Sequence, residues 1–489
     1  MKLANIFATD REVYLFLREE ANYLDIIIDD KFYPYRFVED PMGIFVTYDG
    51  KRARKVYGDL RRIGRLSLYE SDVSFDRQYL LDKVDKIEPA PIRYVFFDIE
   101  VLTDVSLSVD ELLEKANKPI TCITLYDSYS KEFYTLFIND FEGRNLVQKE
   151  RRLIDKFITL INEISPDLLL AWNIGFDFEY LTKRYKKGTF AEAISPICLS
   201  RWSGKKEVPY PAGISILDYM EMYRKFTLNK AYSYSLDSVL EAELGKGKTH
   251  AVVEFGKITD EIWQRNLEDV EGMVKLEEKL NLIEYYDNIR RLTKCLWEDL
   301  PSKTDYKEGK VLYYSNNSKI IDMLCLSEAR KMGIVLPSKR KSEEKASFKG
   351  AFREVFETGL INERILKLDL TSAYPTVMKD FCLDETNIAE KPEENTIEIN
   401  SIYFKQNPDT LLPRIADKLL YFKSKIKEEL KQIQPDTKEY KQKEIEYASV
   451  KGIVNSLFGV IGLNSFRLFD VRIPETVTFL VRDLLHYVV

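Results

Sequence analysis

Histidine and cysteine are scarce in this chain. Two histidines, His250 and His486, occur in 489 residues. Histidine-ligated metal sites and Ser-His-Asp chemistry are therefore poor candidates, and any catalysis must rest on carboxylates, lysines and bound cations. The five cysteines, Cys122, Cys198, Cys295, Cys325 and Cys382, are widely separated and form no Cys-x-x-Cys. That excludes a disulfide framework and a cysteine zinc site as organising devices. No apolar run approaches the roughly 20 residues needed to span a bilayer. The N-terminus lacks the long apolar centre of a signal peptide. A cytoplasmic chain with no membrane partner is the expectation. An excess of positive charge is also missing: the net charge is −7. This counts mildly against a nucleic-acid binder, although the local field along a groove decides binding.

What is present suggests an ordinary globular chain of three or more structural units, with 45% apolar residues to supply their cores. Residues 1–92 read as a β-rich domain, with apolar runs at Tyr23–Ile28 and Gly43–Tyr48 and a turn signal at Asp49-Gly50. Its basic cluster, Lys51-Arg-Ala-Arg-Lys55 with Arg61, Arg62 and Arg65, suits either a nucleic-acid backbone or a solvated surface. The charged stretch before Pro89 and Pro91 reads as a linker.

Carboxylates stand out next. Tyr94–Val101 is a nearly continuous apolar strand, and its Asp98 and Glu100 share one face because side chains alternate with period 2. Two like charges on an apolar strand are costly unless cations neutralise them. Asp177 follows a strand ending at Trp172 and a turn at Asn173-Ile-Gly175, where it would also suit a helix N-terminus. Asp269 lies on a helix reading from Thr259 to Leu276, one turn after Arg265, so the two share a face as an ordinary surface ion pair would. Four acids from one strand and two helices make a sensible set for two divalent ions roughly 3.5–4 Å apart.

A second set lies further on. Residues 276–345 read mostly as helix, ending in the charged run 339–345, either a solvated loop or a template contact. Arg364–Leu370 alternates as a half-buried strand, with Asp369 and Lys367 on one face, and breaks at Tyr374-Pro375. It would deliver one carboxylate, then free backbone N–H groups, then a fixed aromatic ring. A metal–triphosphate site needs those parts, although an exposed Asp at a strand end explains the pattern too. Residues 412–458 read as two helices joined at Gln434–Thr437. Lys423 and Lys427 on the first, and Lys451 and Asn455 on the second, have i, i+4 spacing. An antiparallel pair could converge them on one anion; otherwise they are solvated faces.

Asp98-Ile-Glu100, Asn173…Phe176-Asp177 and Asn266-Leu-Glu-Asp269 fall in the order and rough spacing of the three 3′–5′ exonuclease motifs of family B DNA polymerases. Gly213–Tyr219 and Tyr234–Ser238 are similar to segments of its phage members, and Asp369–Pro375 resembles the family's motif A. Lys451–Gly459 resembles motif B, and Asn464–Arg472 the segment after it. The resemblance implies a mixed fold, α/β and α+β in several domains. A ribonuclease-H-like 3′–5′ exonuclease domain would occupy 93–310 and a connecting helical region 311–345. The palm would begin at 346–411, two-helix fingers would fill 412–458, and an incomplete second palm part would run over 459–489. Phe348–Phe352, with Gly350, stands where the family contacts template phosphates; a simple turn explains it as well.

By the same resemblance, Asp98, Glu100, Asp177 and Asp269 bind two Mg2+ ions, with Mn2+ able to replace them. Asp369 and the Leu370 carbonyl bind a second pair. The Ser372 and Ala373 N–H groups, Lys423, Lys427, Lys451 and Asn455 meet the incoming nucleotide, and the Tyr374 ring excludes ribose. Three positions depart from the pattern. Arg265 replaces a Tyr that orients the attacking water; it would hold the scissile phosphate or pair with Asp269. Lys423 replaces an Arg and Phe458 a Tyr. No Asp-Thr-Asp occurs in the sequence, so the family's motif C and its thumb are not among these residues. The expectation is a phage or archaeal DNA polymerase part with proofreading exonuclease. Its partners would be primer-template DNA, deoxynucleoside triphosphates, a second chain carrying motif C and thumb, and a sliding clamp. A truncated polymerase is the other source of the same pattern. The competing readings are a free-standing exonuclease with a DNA-gripping polymerase remnant, and a silent DNA-binding subunit. High Lys and Glu content with few His and Cys is a composition associated with heat tolerance.

Overall fold

The structure is a computed structural model describing residues 1–58, 68–102, 108–201, 208–227, 233–247, 256–300, 317–339, 347–351, 359, 364 and 369–488, with the backbone alone at 304–307, 310–313 and 488. Arg61, Arg62, Arg65, the run 340–346, Phe352 and the 365–368 part of the expected motif A strand lie outside the described residues.

Two compact units form. The first takes Met1–Phe32, Lys86–Asp287 and Leu296–Asn316; the second takes Tyr33–Asp85, Asn288–Cys295 and Asn317–Val489. The β-rich segment 1–92 is thus shared between units instead of standing as one domain. Buried charges account for the division. Arg18 and Asp167, both without side-chain exposure, pair at 2.6 Å. The Asp167 carboxylate also accepts the Arg93 N–H at 2.8 Å. A buried ion left alone costs several kcal/mol, so the first strands stay with the segment that carries their counter-ion. In the second unit the buried Arg467 guanidinium pairs with Asp72 at 2.7 Å and Asp322 at 2.5 Å, which holds the 33–85 segment there.

The first unit is built on a five-stranded sheet in the order Glu132–Phe137, Ile120–Asp127, Tyr94–Val101, Leu168–Ala171, Ser215–Asp218. Tyr94–Val101 pairs antiparallel with Ile120–Asp127 and parallel with Leu168–Ala171. Ile120–Asp127 and Leu168–Ala171 are buried throughout. Tyr94–Val101 buries Val95, Phe96, Phe97, Ile99 and Val101 and leaves Asp98 and Glu100 half-exposed on one face. A separate antiparallel sheet, Leu3–Ala8, Val13–Glu20 and Tyr23–Asp29, packs Phe7 and Phe16 on Ala212. Gly213 takes a left-handed φ of 85°, and a Cβ there would lie 2.4 Å from the Phe16 ring. No other residue fits that contact.

The helix Asp260–Leu280 ends at Asn281, whose φ is 50°. Buried Glu277 makes the break by accepting from the Tyr219 hydroxyl at 2.8 Å and the N–H groups of Leu282 at 3.0 Å and Ile283 at 3.1 Å. Burial pushes its carboxyl up from 4.5 to about 7, with those hydrogen bonds opposing. The folded value exceeds the unfolded one, so the contribution is fully present below pH 4.5 and is lost as pH rises through 7, at most about 3 kcal/mol. Glu277→Gln should flatten the fall in unfolding free energy between those pH values, measured by urea titration. An unchanged slope would contradict the assignment.

In the second unit a sheet runs Ile334–Val335, Phe45–Thr47, Arg52–Tyr57, Tyr35–Glu39, Leu68–Tyr69. The Asp49-Gly50 turn joins two of its strands, with Gly50 at φ 81°. The helices expected within 412–458 run Leu411–Leu430 and Lys438–Ile461. The Thr437 hydroxyl caps the second through the Tyr440 N–H at 3.1 Å. Arg472–Val488 is the final helix. Its Arg482 donates to the carbonyls of Lys349 at 3.0 Å and Gly350 at 3.3 Å, which fixes the loop before it. The mostly helical reading of 276–345 holds for Leu282–Thr293 and Asn317–Lys331 and needs correction only at three short strands. Thr304–Lys307 and Lys310–Tyr313 pair as antiparallel strands, and Ile334–Val335 is a strand in the 45–57 sheet. Aromatic and β-branched residues on either side of Gly309 carried that signal in the sequence. No described helix is long and apolar enough to cross a membrane.

Candidate functional site

Three carboxylates meet over one face of the central strand of the five-stranded sheet. Asp98, Glu100 and Asp269 each offer an oxygen within 4.8 Å of the others. Period-2 alternation delivers the first two, and the helix Asp260–Leu280, packed over the same strand, delivers the third. Ile262 and Trp263 at the start of that helix belong to the sheet's apolar core, which sets its rotation. The adjacent Asn266, buried three residues before Asp269, donates its amide to Asp98 Oδ2 at 2.6 Å.

Asp177 stands beside the trio. It lies in the first turn of the helix Ile174–Arg184 and is buried. Its Oδ1 accepts the N–H of Ile99, the residue between Asp98 and Glu100, at 3.3 Å. Burial first, then the charges of Asp218 and Glu100, push its carboxyl up to about 8 against two backbone hydrogen bonds. A carboxyl this far from its ordinary value, beside three others, is a group that a cation would stabilise in its charged form.

Asp218 was not singled out from the sequence. It ends the strand Ser215–Asp218 and sits opposite Ala171 in the parallel register. One oxygen accepts the N–H groups of Met220 at 3.1 Å, Glu221 at 3.3 Å and Asn173 at 3.2 Å. It therefore caps its own helix and also pins Asn173, whose φ of 65° turns the chain into the Asp177 helix. The signal that could have found it is an Asp between an apolar strand and a helix, a preferred N-cap. Burial pushes it up to about 7.

Arg265 pairs with Glu100, Nε to Oε1 at 3.6 Å, with 38% of its side chain exposed. The ion pair expected with Asp269 is thus replaced by one to the strand. The arginine projects past its own helix to the facing strand, a reach that intrahelical spacing does not reveal.

The second constellation lies in the other unit. Ser372 at φ 55° opens the helix Ala373–Asp380, and Asp369 and Leu370 lie exposed just before it. Lys423, 9% exposed, donates to the Ser372 hydroxyl at 2.5 Å. It is therefore not on a solvated face. Burial, then Lys451 and Lys427, hold its ammonium below the usual lysine value, while Asp369 opposes them. Lys427, Lys451 and Asn455 are exposed. Tyr374 stacks on Phe458 with ring centroids 4.3 Å apart and planes 8° apart. Three lysines, one carboxylate and a helix N-terminus are suited to a polyanion with its counter-cation.

The donors at the first site fit hard divalent cations, because carboxylate oxygens at this spacing can share ions with bond lengths of roughly 2.0–2.6 Å. At the second site Asp369 is the one carboxylate named here, and it does not complete a two-ion set by itself.

The family model described as DNA polymerase family B, exonuclease domain matches residues 55–239, and DNA polymerase family B matches residues 307–489. The DNA polymerase of Archaeoglobus fulgidus is 25% identical over 82% of this chain and 48% of its own length. The DNA-directed DNA polymerase of phage T4 is 26% identical over 68% of this chain and 38% of its own length. The family B DNA polymerase structure from Pyrobaculum calidifontis matches all of this chain and 72% of its own, with a TM-score of 0.76 at 19% identity. The chain spans about half the length or less of these two curated relatives.

Proposed function

The chain belongs to DNA polymerase family B, and on that premise we propose that its first unit removes nucleotides from a DNA 3′ end while its second unit binds the deoxynucleoside triphosphate for extension. The observation that carries the first part is the trio Asp98, Glu100 and Asp269 within 4.8 Å, with buried Asp177 against the same strand. These four residues would hold two divalent ions, magnesium or manganese. Bound there, such ions activate a water and stabilise a leaving 3′ oxygen. Asn266 orients Asp98, and Asp218 fixes the turn that presents Asp177.

For synthesis, Asp369 and the Leu370 carbonyl serve as ion ligands. The N–H groups of Ser372 and Ala373, with Lys423, Lys427, Lys451 and Asn455, take the nucleotide. The lowered Lys423 and its neighbours support a site prepared for triphosphate charge. The Tyr374–Phe458 stack supports a flat platform beneath the sugar, where a 2′-hydroxyl would clash. A motif C carboxylate and a thumb must come from residues beyond these 489, on a second chain or in continuation of this one. Primer-template DNA is the substrate of both activities, and a sliding clamp is a further partner this reading allows. The domain scheme 93–310 exonuclease, 412–458 fingers and palm on either side belongs to the same proposal.

The test uses a 3′-labelled single-stranded oligodeoxynucleotide. With Mg2+, labelled mononucleotide should be released; EDTA should stop release, and excess Mg2+ or Mn2+ should restore it. Retention of the label with Mg2+, or release undiminished in EDTA, would contradict the proposal.

A further inference from the structure

We propose that Arg265 is a built-in counter-cation of the carboxylate centre, paired with Glu100 while no divalent ion is bound and yielding that carboxylate when one binds. The inference rests on the metal-centre reading above and adds a control on its affinity.

Three acids crowd within 4.8 Å. Without cations their mutual repulsion disfavours the charged forms. The helix Asp260–Leu280 supplies a neutral donor and one cation as well as a ligand: the Asn266 amide on Asp98 at 2.6 Å and the Arg265 guanidinium toward Glu100 at 3.6 Å. A guanidinium cannot discharge by losing its proton, so it leaves Glu100 only by moving. Its side chain is 38% exposed and Glu100's is 26% exposed, so the pair is solvent-screened and weak enough to open. A divalent ion bonded directly to oxygen outcompetes it, but that ion's affinity is reduced by whatever the pair was worth. Once displaced, the guanidinium lies one helical turn from Asp269 and is free to meet a phosphodiester.

Mn2+ binding, measured calorimetrically in the absence of DNA with every protein, the Arg265 reference included, carrying Asp369→Asn to silence the second ion site, is the direct test. Arg265→Gln in the full chain should bind Mn2+ about 2- to 5-fold more tightly than wild type, the factor set by a partly exposed ion pair. In EDTA the variant should melt below wild type, and saturating Mn2+ should narrow that gap. Arg265→Lys keeps the charge with a less directional contact, so its affinity should lie between the two. It serves as the comparison if the glutamine variant does not fold, and must still bind more tightly than wild type. Equal or weaker Mn2+ binding in these variants overturns the counter-cation role. Mn2+ binding that survives Asp98→Asn with Glu100→Gln overturns the metal centre itself, a separate failure.

Discussion

Primer extension by the 489-residue polypeptide alone should fall at least about a thousandfold below that of the same polypeptide supplied with a Tyr-x-Asp-Thr-Asp palm segment and thumb. Phosphoryl transfer by this route needs two cations bridging the attacking 3′ oxygen and the triphosphate. Asp369 can bind such ions, but one carboxylate leaves most of their charge unbalanced, and the sequence holds no Asp-Thr-Asp. In this proposal the lysines at 423, 427 and 451 would neutralise the triphosphate; they would not replace an ion ligand. Gel filtration would show whether the added segment binds, and labelled deoxynucleotide incorporation would report activity. In the assembled protein, Asp369→Asn should abolish incorporation while leaving 3′ hydrolysis intact. Templated synthesis by these 489 residues unaided would contradict the division of ligands.

Much of the first centre was legible in the sequence, because two short-range rules produce it. Strand alternation puts Asp98 and Glu100 together, and an apolar strand turning into a helix presents Asp177. The Arg265–Glu100 pair was not legible, since it depends on how one helix is rotated against one strand, and Ile262 and Trp263 set that rotation through core packing. Asp218 was hidden for a related reason. Its sequence neighbourhood shows a helix cap, while its second task, the N–H of Asn173, lies in the turn after a neighbouring parallel strand. The division of residues 1–92 was illegible because it follows from the counter-ions of Arg18 and Arg467, which lie in distant segments. The strand pair 304–307 and 310–313 was not read from the sequence, although aromatic and β-branched content there favours strands. In the second unit the helix pair was legible from its length and the break at Pro435. The burial of Lys423 against Ser372 was not, because spacing alone places a lysine on a face without saying which way that face looks.

The second large effect concerns hydrolysis. Asp98→Ala should lower the rate of 3′-terminal nucleotide release at least about 10³-fold, roughly 4 kcal/mol of lost transition-state stabilisation. The loss should appear in kcat and not chiefly in KM, because the ions that Asp98 is proposed to hold would act on the reacting phosphate and not on the body of the strand. Asp177→Ala should match it, and the double variant should be little worse than either, since residues that serve one centre do not add. Unfolding would mimic the loss, so melting temperature and single-strand affinity accompany the rates; both should stay near wild type.

Single-turnover release of the 3′-terminal nucleotide, compared between wild type and Asp98→Ala at saturating Mg2+, is therefore the most direct measurement. A thousandfold or greater fall with strand affinity preserved is the predicted result. A variant that trims DNA at the wild-type rate would show that the carboxylates over this central strand are not the centre that cuts.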